Sequence, residues 1–171
     1  MGVSNVKRWA WAEVNLTAYA HNIEYLKSLV SPAEVWAVVK ANAYGHGSVA
    51  IAKSALTAGA SGLCVALARE VAELRDAGVQ APILVLSQQP DESLPFLLQQ
   101  AATHTVYSIE YVEELAKHAT ALGLSHVPVH IKVDTGMHRV GVAPLSLMEL
   151  VDHVQKLSPR IVLEGIYTHF A

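Results

Sequence analysis

Apolar positions along the chain switch between two spacings. Leu16, Tyr19, Ile23, Leu26 and Val30 recur at the period of one helix face, with Asn15 or Thr17 placed to cap that helix. Pro32 breaks it, and Val35 to Val39 reads as a short buried strand. Val49, Ala52 and Leu56 then mark a helix ending near Gly59. The alternation continues with strand-like runs at Leu63 to Ala66, Ile83 to Leu86, Thr105 to Tyr107, Val129 to Val133 and Leu163 to Thr168. Between them lie helical sets: Val71 with Leu74; Leu94, Leu97, Leu98 and Ala101; Val112, Leu115, Ala119 and Leu122; Leu145, Met148, Val151 and Val154. Gly78 falls where a helix C-terminus favours a left-handed residue, Ser108 is placed as a cap, and Gly123 stops the helix that Ser108 opens.

Strand and helix in strict alternation predict a parallel α/β sheet with helical crossovers and about six strands. Periodicity alone leaves a doubly wound sheet and a barrel equally open. The chain has 171 residues, 52% hydrophobic and 16% charged, enough for one domain with a sizeable core. A complete eight-stranded barrel takes roughly 250 residues, more than are here. The formal charge is -3 with scattered basic residues, which argues against nucleic acid or an anionic membrane as partner. Cys64 is the sole cysteine, so an intramolecular disulfide is excluded, in keeping with a cytosolic protein. Met1 to Trp9 lack the apolar stretch of a signal peptide, and no run approaches the roughly 20 apolar residues of a membrane span. A soluble cytoplasmic protein is expected.

Three segments carry candidate chemistry. The first is Ala37-Val38-Val39-Lys40-Ala41-Asn42-Ala43-Tyr44-Gly45-His46-Gly47. Lys40 ends an apolar strand, the position where parallel α/β folds assemble their sites. A lysine amine that loses its proton there can condense with an aldehyde; the plain alternative is a strand-end lysine reaching solvent. The second runs from His130 to Gly141, through Lys132, Asp134 and Arg139. Val129, Ile131 and Val133 alternate with His130, Lys132 and Asp134, so the polar row faces either a barrel interior or, on an edge strand, water. The third is Glu164-Gly165-Ile166-Tyr167-Thr168-His169-Phe170-Ala171, with His169 at a strand end on the face of Gly165 and Tyr167.

The remaining polar residues read as ordinary. His21, His104, His118, His126 and His153 share no metal-ligand spacing, so they are expected at the surface or as caps and no metal site is expected. Arg69 and Glu70 open a helix as a solvated pair, Cys64 is a small core residue, and Gly45 and Gly47 are too sparse for a nucleotide loop.

All three strings resemble the alanine racemase family, and the resemblance runs from Trp11 to Ala171. It implies a TIM-type (β/α)8 barrel, with residues 1–171 as its amino-terminal part and the family's carboxy-terminal β-domain missing. It implies pyridoxal 5'-phosphate as cofactor, attached to Lys40 through a Schiff base, with Tyr44 on the phosphate and His169 beside the ring. Arg139 would bind the substrate carboxylate and the cofactor's phenolic oxygen. Lys132 would be carbamylated, turning one of two mutually repelling cations into an anion that holds Arg139. Racemisation needs a base on each face of the α-carbon. In the family, Lys40 would serve the D-enantiomer, and a tyrosine from the partner subunit's β-domain the other, in a homodimer. The product, D-alanine, would supply peptidoglycan. The resemblance thus implies an isomerase, with the isolated chain a poor one. Alternatives on the same fold are a broader-specificity amino-acid racemase and a non-catalytic, single-barrel pyridoxal-phosphate-binding protein; a fragment serving only as an interaction or folding unit is a further one.

Overall fold

A computed structural model describes residues 10–171; Met1 to Trp9, read above as lacking a signal stretch, lie outside the described residues. Helix α1 (Leu16–Val30) is capped by Asn15, whose side chain accepts from the Ala18 N–H at 2.9 Å. There follow β1 (Trp36–Val38), α2 (Ser48–Thr57), β2 (Gly62–Val65), α3 (Ala68–Asp76) and β3 (Ile83–Val85). Then come α4 (Leu94–Gln99), β4 (Thr103–Val106), α5 (Ile109–Ala121), β5 (Val127–Val133), α6 (Leu147–Lys156) and β6 (Ile161–Thr168). The six strands form one all-parallel sheet in the order β1-β2-β3-β4-β5-β6.

That order has no reversal, so a doubly wound sheet is excluded. The sheet also curls. Strands lie about 4.8 Å apart, so β1 and β5 of a flat sheet stand roughly 19 Å apart. Yet the rings of Trp36 on β1 and His130 on β5 have centroids 6.3 Å apart. The Tyr167 hydroxyl of β6 lies 2.8 Å from Thr105 Oγ1 on β4 and donates to the Leu86 carbonyl beyond β3 at 3.3 Å. Inward side chains of distant strands therefore meet, and the chain is the six-stranded part of a TIM-like barrel.

Helices cover the outer face in two apolar clusters. One joins Ile51, Ala52 and Ala55 of α2 and Val71 and Leu74 of α3 to Leu63, Val65, Ile83 and Val85. The other joins Val112, Leu115 and Ala119 of α5 and Leu150, Val151 and Val154 of α6 to Val106, Val129, Ile131 and Ile161. Helix α4 bridges them, with Leu97 in the first and Leu94 and Leu98 in the second.

Several details depart from the periodicity. Strand β4 begins at Thr103, two residues before the apolar pattern suggests, because its opening Thr-His pair is buried despite being polar. Of the α1 stripe only Ile23 is buried, while Leu16, Leu26 and Val30 stay exposed. Ala101 lies beyond α4 in a left-handed turn. Pro144 opens a short turn that delays α6 to Leu147, which leaves Leu145 and Met148 exposed and moves the buried face to Leu150, Val151 and Val154.

His104 is a plain correction. It is 1% exposed, and neither ring nitrogen has a hydrogen-bond partner among the described residues. Thr105 points inward to Tyr167, so His104 takes the opposite face, toward the helices. Burial without a partner pushes its imidazole down to about 4. His118, His126 and His153 lie at or near the surface and face Asp91, Glu164 and Glu113 respectively. Cys64 is buried as expected, its thiol pushed up to about 12 by burial.

Candidate active site

Lys40 follows β1 directly. Its strand makes one last rung, from the Val39 N–H to the Cys64 carbonyl at 2.9 Å, and the chain then turns left-handed. Ala41, Asn42, Ala43 and Tyr44 all have φ between 50° and 55°. Left-handed backbone costs about 1–2 kcal/mol for each non-glycine residue, so this turn persists only if its surroundings impose it. Several bonds do. The Ala43 N–H donates to the Val39 carbonyl at 2.8 Å, the Gly47 N–H to the Asn42 carbonyl at 2.9 Å, and the Ser48 N–H to Asn42 Oδ1 at 2.8 Å. Gly45, at φ 89°, closes the turn where a side chain would add strain.

Glu70 takes part, contrary to its reading as half of a solvated pair. It is 9% exposed. One carboxylate oxygen accepts from the Ala41 N–H at 2.7 Å; the other accepts from Ala66 and Leu67 at 2.7 and 3.0 Å. Its place in the first turn of α3 lets a carboxylate reach back to N-terminal amides, a geometry that a helix-start sequence without Ser or Thr at the cap does not advertise.

The segment bearing Arg139 is built differently. Beyond β5 the chain leaves and returns, with the Val142 N–H donating to the Lys132 carbonyl at 2.8 Å and the Asp134 N–H to the Val142 carbonyl at 2.9 Å. Inside this ring the His138 and Gly136 amides both donate to Asp134 Oδ1 at 3.0 Å, which holds that carboxyl below the usual range. Gly141 permits the closure. A Cβ there would stand 2.6 Å from the Asp134 backbone nitrogen.

These two segments and the end of β6 enclose a cavity of about 410 Å³ at the C-terminal ends of the strands, within the range of small-molecule sites. Lys40, Tyr44, Lys132, Arg139 and His169 all line it, so the structure brings these five to one place; His130 and Asp134 are not in the lining. Tyr44, at 63% exposure, and Arg139 lie at its mouth. Lys132, at 7%, lies within it on a central strand, which excludes the solvated edge-strand alternative for the polar row. Burial lowers the pKa of the Lys132 ammonium, and the charges of Arg139 and Lys40 lower it further, against the opposing pull of Asp134. Tyr167 completes the lining beneath Lys132, whose Nζ is 5.9 Å from the ring centroid. Burial drives the Tyr167 hydroxyl up to about 12, so it is a neutral hydrogen-bonding group.

The lining contains two lysines, an arginine, a histidine and tyrosine hydroxyls, and no carboxylate among the described residues. A cationic cavity holding a primary amine fits an anionic, phosphorylated aldehyde, the chemistry of pyridoxal 5'-phosphate.

A parallel barrel portion with an amine in a cationic cavity at its strand ends defines the class: a small-molecule site of TIM-barrel type. The family model described as "Alanine racemase, N-terminal domain" matches residues 14–171, and the chain belongs to that family. It is 46% identical over 163 residues to the alanine racemase of Methanococcus maripaludis, a match covering 94% of this chain and 43% of the relative. The crystal structure of alanine racemase from E. faecalis superposes with a TM-score of 0.85 at 40% identity, covering 92% of this chain and 43% of that one. A histidine racemase from Leuconostoc mesenteroides superposes at 0.83 with 29% identity, covering 91% and 42%. The chain therefore spans less than half the length of the relatives it matches.

Proposed function

We propose that this chain forms the cofactor-binding barrel portion of a cytoplasmic, pyridoxal-phosphate-dependent alanine racemase, an isomerase that interconverts L- and D-alanine and supplies D-alanine for peptidoglycan. The observation that carries the reading is the Lys40 amine at the end of β1, opening into a cavity that Lys132 and Arg139 also line and that no carboxylate among the described residues enters. The cofactor supplies an electron sink that acidifies the α-hydrogen of a bound amino acid.

The residues take distinct tasks. Lys40 Nζ would hold the cofactor through its amine and, when free, would accept or return the α-proton on one face of the substrate. Tyr44, at the mouth, offers a hydroxyl to the phosphate. Arg139 would pair with the alanine carboxylate and help hold the cofactor, a task suited to a planar fork of donors. His169, which lines the same cavity, would pack beside the cofactor ring.

Lys132 is the residue we assign to carbamylation. The neutral Nζ attacks carbon dioxide, an N–C bond forms, and one proton leaves to solvent. The result is an anion next to Arg139. The lowered Lys132 pKa supports this step because it enlarges the neutral fraction. The base for the opposite face comes from a β-domain tyrosine of the partner subunit in a homodimer.

The test is direct. In the intact protein, borohydride treatment with cofactor should fix a covalent adduct on Lys40, and L-alanine should yield D-alanine; Lys40→Ala should abolish both. Retained turnover in Lys40→Ala, or an adduct on another residue, overturns the reading. A broader amino-acid racemase is the second reading, favoured by the histidine racemase of the same fold. Comparing turnover of alanine, serine, lysine and histidine separates the two.

A further inference from the structure

The parallel ladder between β1 and β2 stops at the Val39 N–H: the Val39 carbonyl accepts from Ala43 at 2.8 Å, and the Ala66 N–H that would have met it goes to Glu70 Oε2 at 2.7 Å. After the Val39 N–H has bonded the Cys64 carbonyl, the next donor on that side is the Ala41 N–H and the next acceptor the Ala66 carbonyl. That carbonyl is instead taken by the Gln89 side chain at 2.9 Å. The Ala41 N–H goes to Glu70 Oε1 at 2.7 Å, across 29 residues of sequence. The carboxylate thus stands in for the missing rung and frees the backbone to turn left-handed immediately after Lys40.

The two oxygens of Glu70 have separable work. Oε2 accepts from Leu67, the cap amide of α3, as any capping carboxylate does, and from Ala66 at the end of β2, all on its own side of the site. Oε1 does nothing for α3; its partner belongs to the turn that bears Lys40 and Tyr44. One helical turn further along, Glu73 Oε1 accepts from the Ser48 hydroxyl at 2.6 Å. Glu70 and Glu73, three residues apart on one face of α3, therefore grip the segment 41–48 at both ends.

We propose that Glu70 is the positioning residue for Lys40: its carboxylate holds the Ala41 amide, fixes the left-handed turn, and so sets where the Lys40 amine and the Tyr44 hydroxyl point. This rests on the reading of Lys40 as the cofactor-bearing amine, and it assigns Glu70 no contact with cofactor or substrate.

Glu70→Gln tests it without changing shape. The amide has one acceptor oxygen for three N–H donors on two sides, so in either orientation its NH2 faces a backbone N–H. The orientation that keeps Ala66 and Leu67 loses Ala41. A bond to a charged acceptor is worth enough for roughly a tenfold or larger change. In the intact protein, Glu70→Gln should slow borohydride-trapped adduct formation on Lys40 about tenfold or more, read by mass spectrometry. It should also speed amide exchange in segment 41–47 of the cofactor-free protein by about the same factor. Ala41→Gly, which adopts φ 51° without strain, should restore most of the trapping rate in the Glu70→Gln background. A residue that merely caps α3 would not be rescued in that way.

Trapping and exchange at wild-type rates in Glu70→Gln overturn the proposal, as does equal slowing in Glu70→Gln and the double variant. If Glu70→Gln does not fold, Glu70→Asp carries the same test, since its shorter arm keeps the Ala66 and Leu67 amides and loses Ala41. If the wild type gives no Lys40 adduct, the cofactor reading fails by itself. Exchange at 41–47 then decides the clamp alone: faster in the variant supports it, unchanged overturns it.

Discussion

Neighbouring residues of β5 live in different worlds. Ile131 is fully buried against the helices, and Lys132, one residue on, is nearly as buried inside the barrel. The outer face of β5 presents apolar side chains, Val127, Val129 and Ile131, to the helices. The inner face holds titratable groups, Lys132, His130 and Tyr167, in an environment that moves their pKa values away from the ordinary. In one strand, then, stability and chemistry are divided by the alternation of the pleat. A substitution outward should cost folding and spare chemistry, and one inward the reverse.

The largest effect expected is outward. Ile131→Ala should lower unfolding free energy by about 2–5 kcal/mol, read as a fall in denaturant midpoint at unchanged slope. Its effect on cofactor trapping at Lys40 in the still-folded protein should be small. A stability cost under about 1 kcal/mol would break the comparison.

His104 sharpens it, being the titratable residue on the apolar face. Its folded pKa of about 4 lies below the usual 6.5, so the unfolded chain binds more protons between these values. Stability must then fall as pH drops from 6.5 toward 4, by up to about 3 kcal/mol, and be unaffected by this group above that window. His104→Leu should flatten that part of the stability-versus-pH curve. An unchanged slope would show that the imidazole finds a partner.

Gly141→Ala probes the inner side through backbone. The new Cβ meets main-chain atoms of Val133 and Asp134 that have no rotamer to yield, so the Arg139 ring must open. A cost of about 1–3 kcal/mol is expected, with a raised KM for alanine in the intact protein. Normal KM would mean that Arg139 does not depend on the closed ring.

Lys132→Met is the smallest in stability and the most selective. Replacing a buried ionisable side chain by an apolar one of similar length should shift unfolding by less than about 1 kcal/mol. Alanine turnover should nevertheless fall. A large loss of stability with normal turnover would invert the assignment of this residue.

Much of the site was legible because it is local. The strings around Lys40, Arg139 and His169 each occupy the end of one strand, and strand ends are visible as an apolar run meeting polar residues. Glu70 was misread because its partner at Ala41 is 29 positions away and its own neighbours resemble an ordinary helix start. His104 was misread because a histidine in a run with two threonines carries no apolar signal, although all four residues of β4 are buried. The α1 stripe misled in the opposite sense: its spacing is helical, yet among the described residues little covers it.

The sequence by itself determined the alternation of strand and helix, the all-parallel sheet, and the two sides of each strand, since these follow from the chain's own periods and turns. Only the tertiary structure decided that the sheet curls into a barrel portion, that the inward rows converge on one cavity, and that a carboxylate from α3 holds the turn at Lys40. Periodicity reports which way a side chain faces relative to its neighbours in sequence. What it faces is set by strands and helices tens of residues away, and that information exists only once they pack.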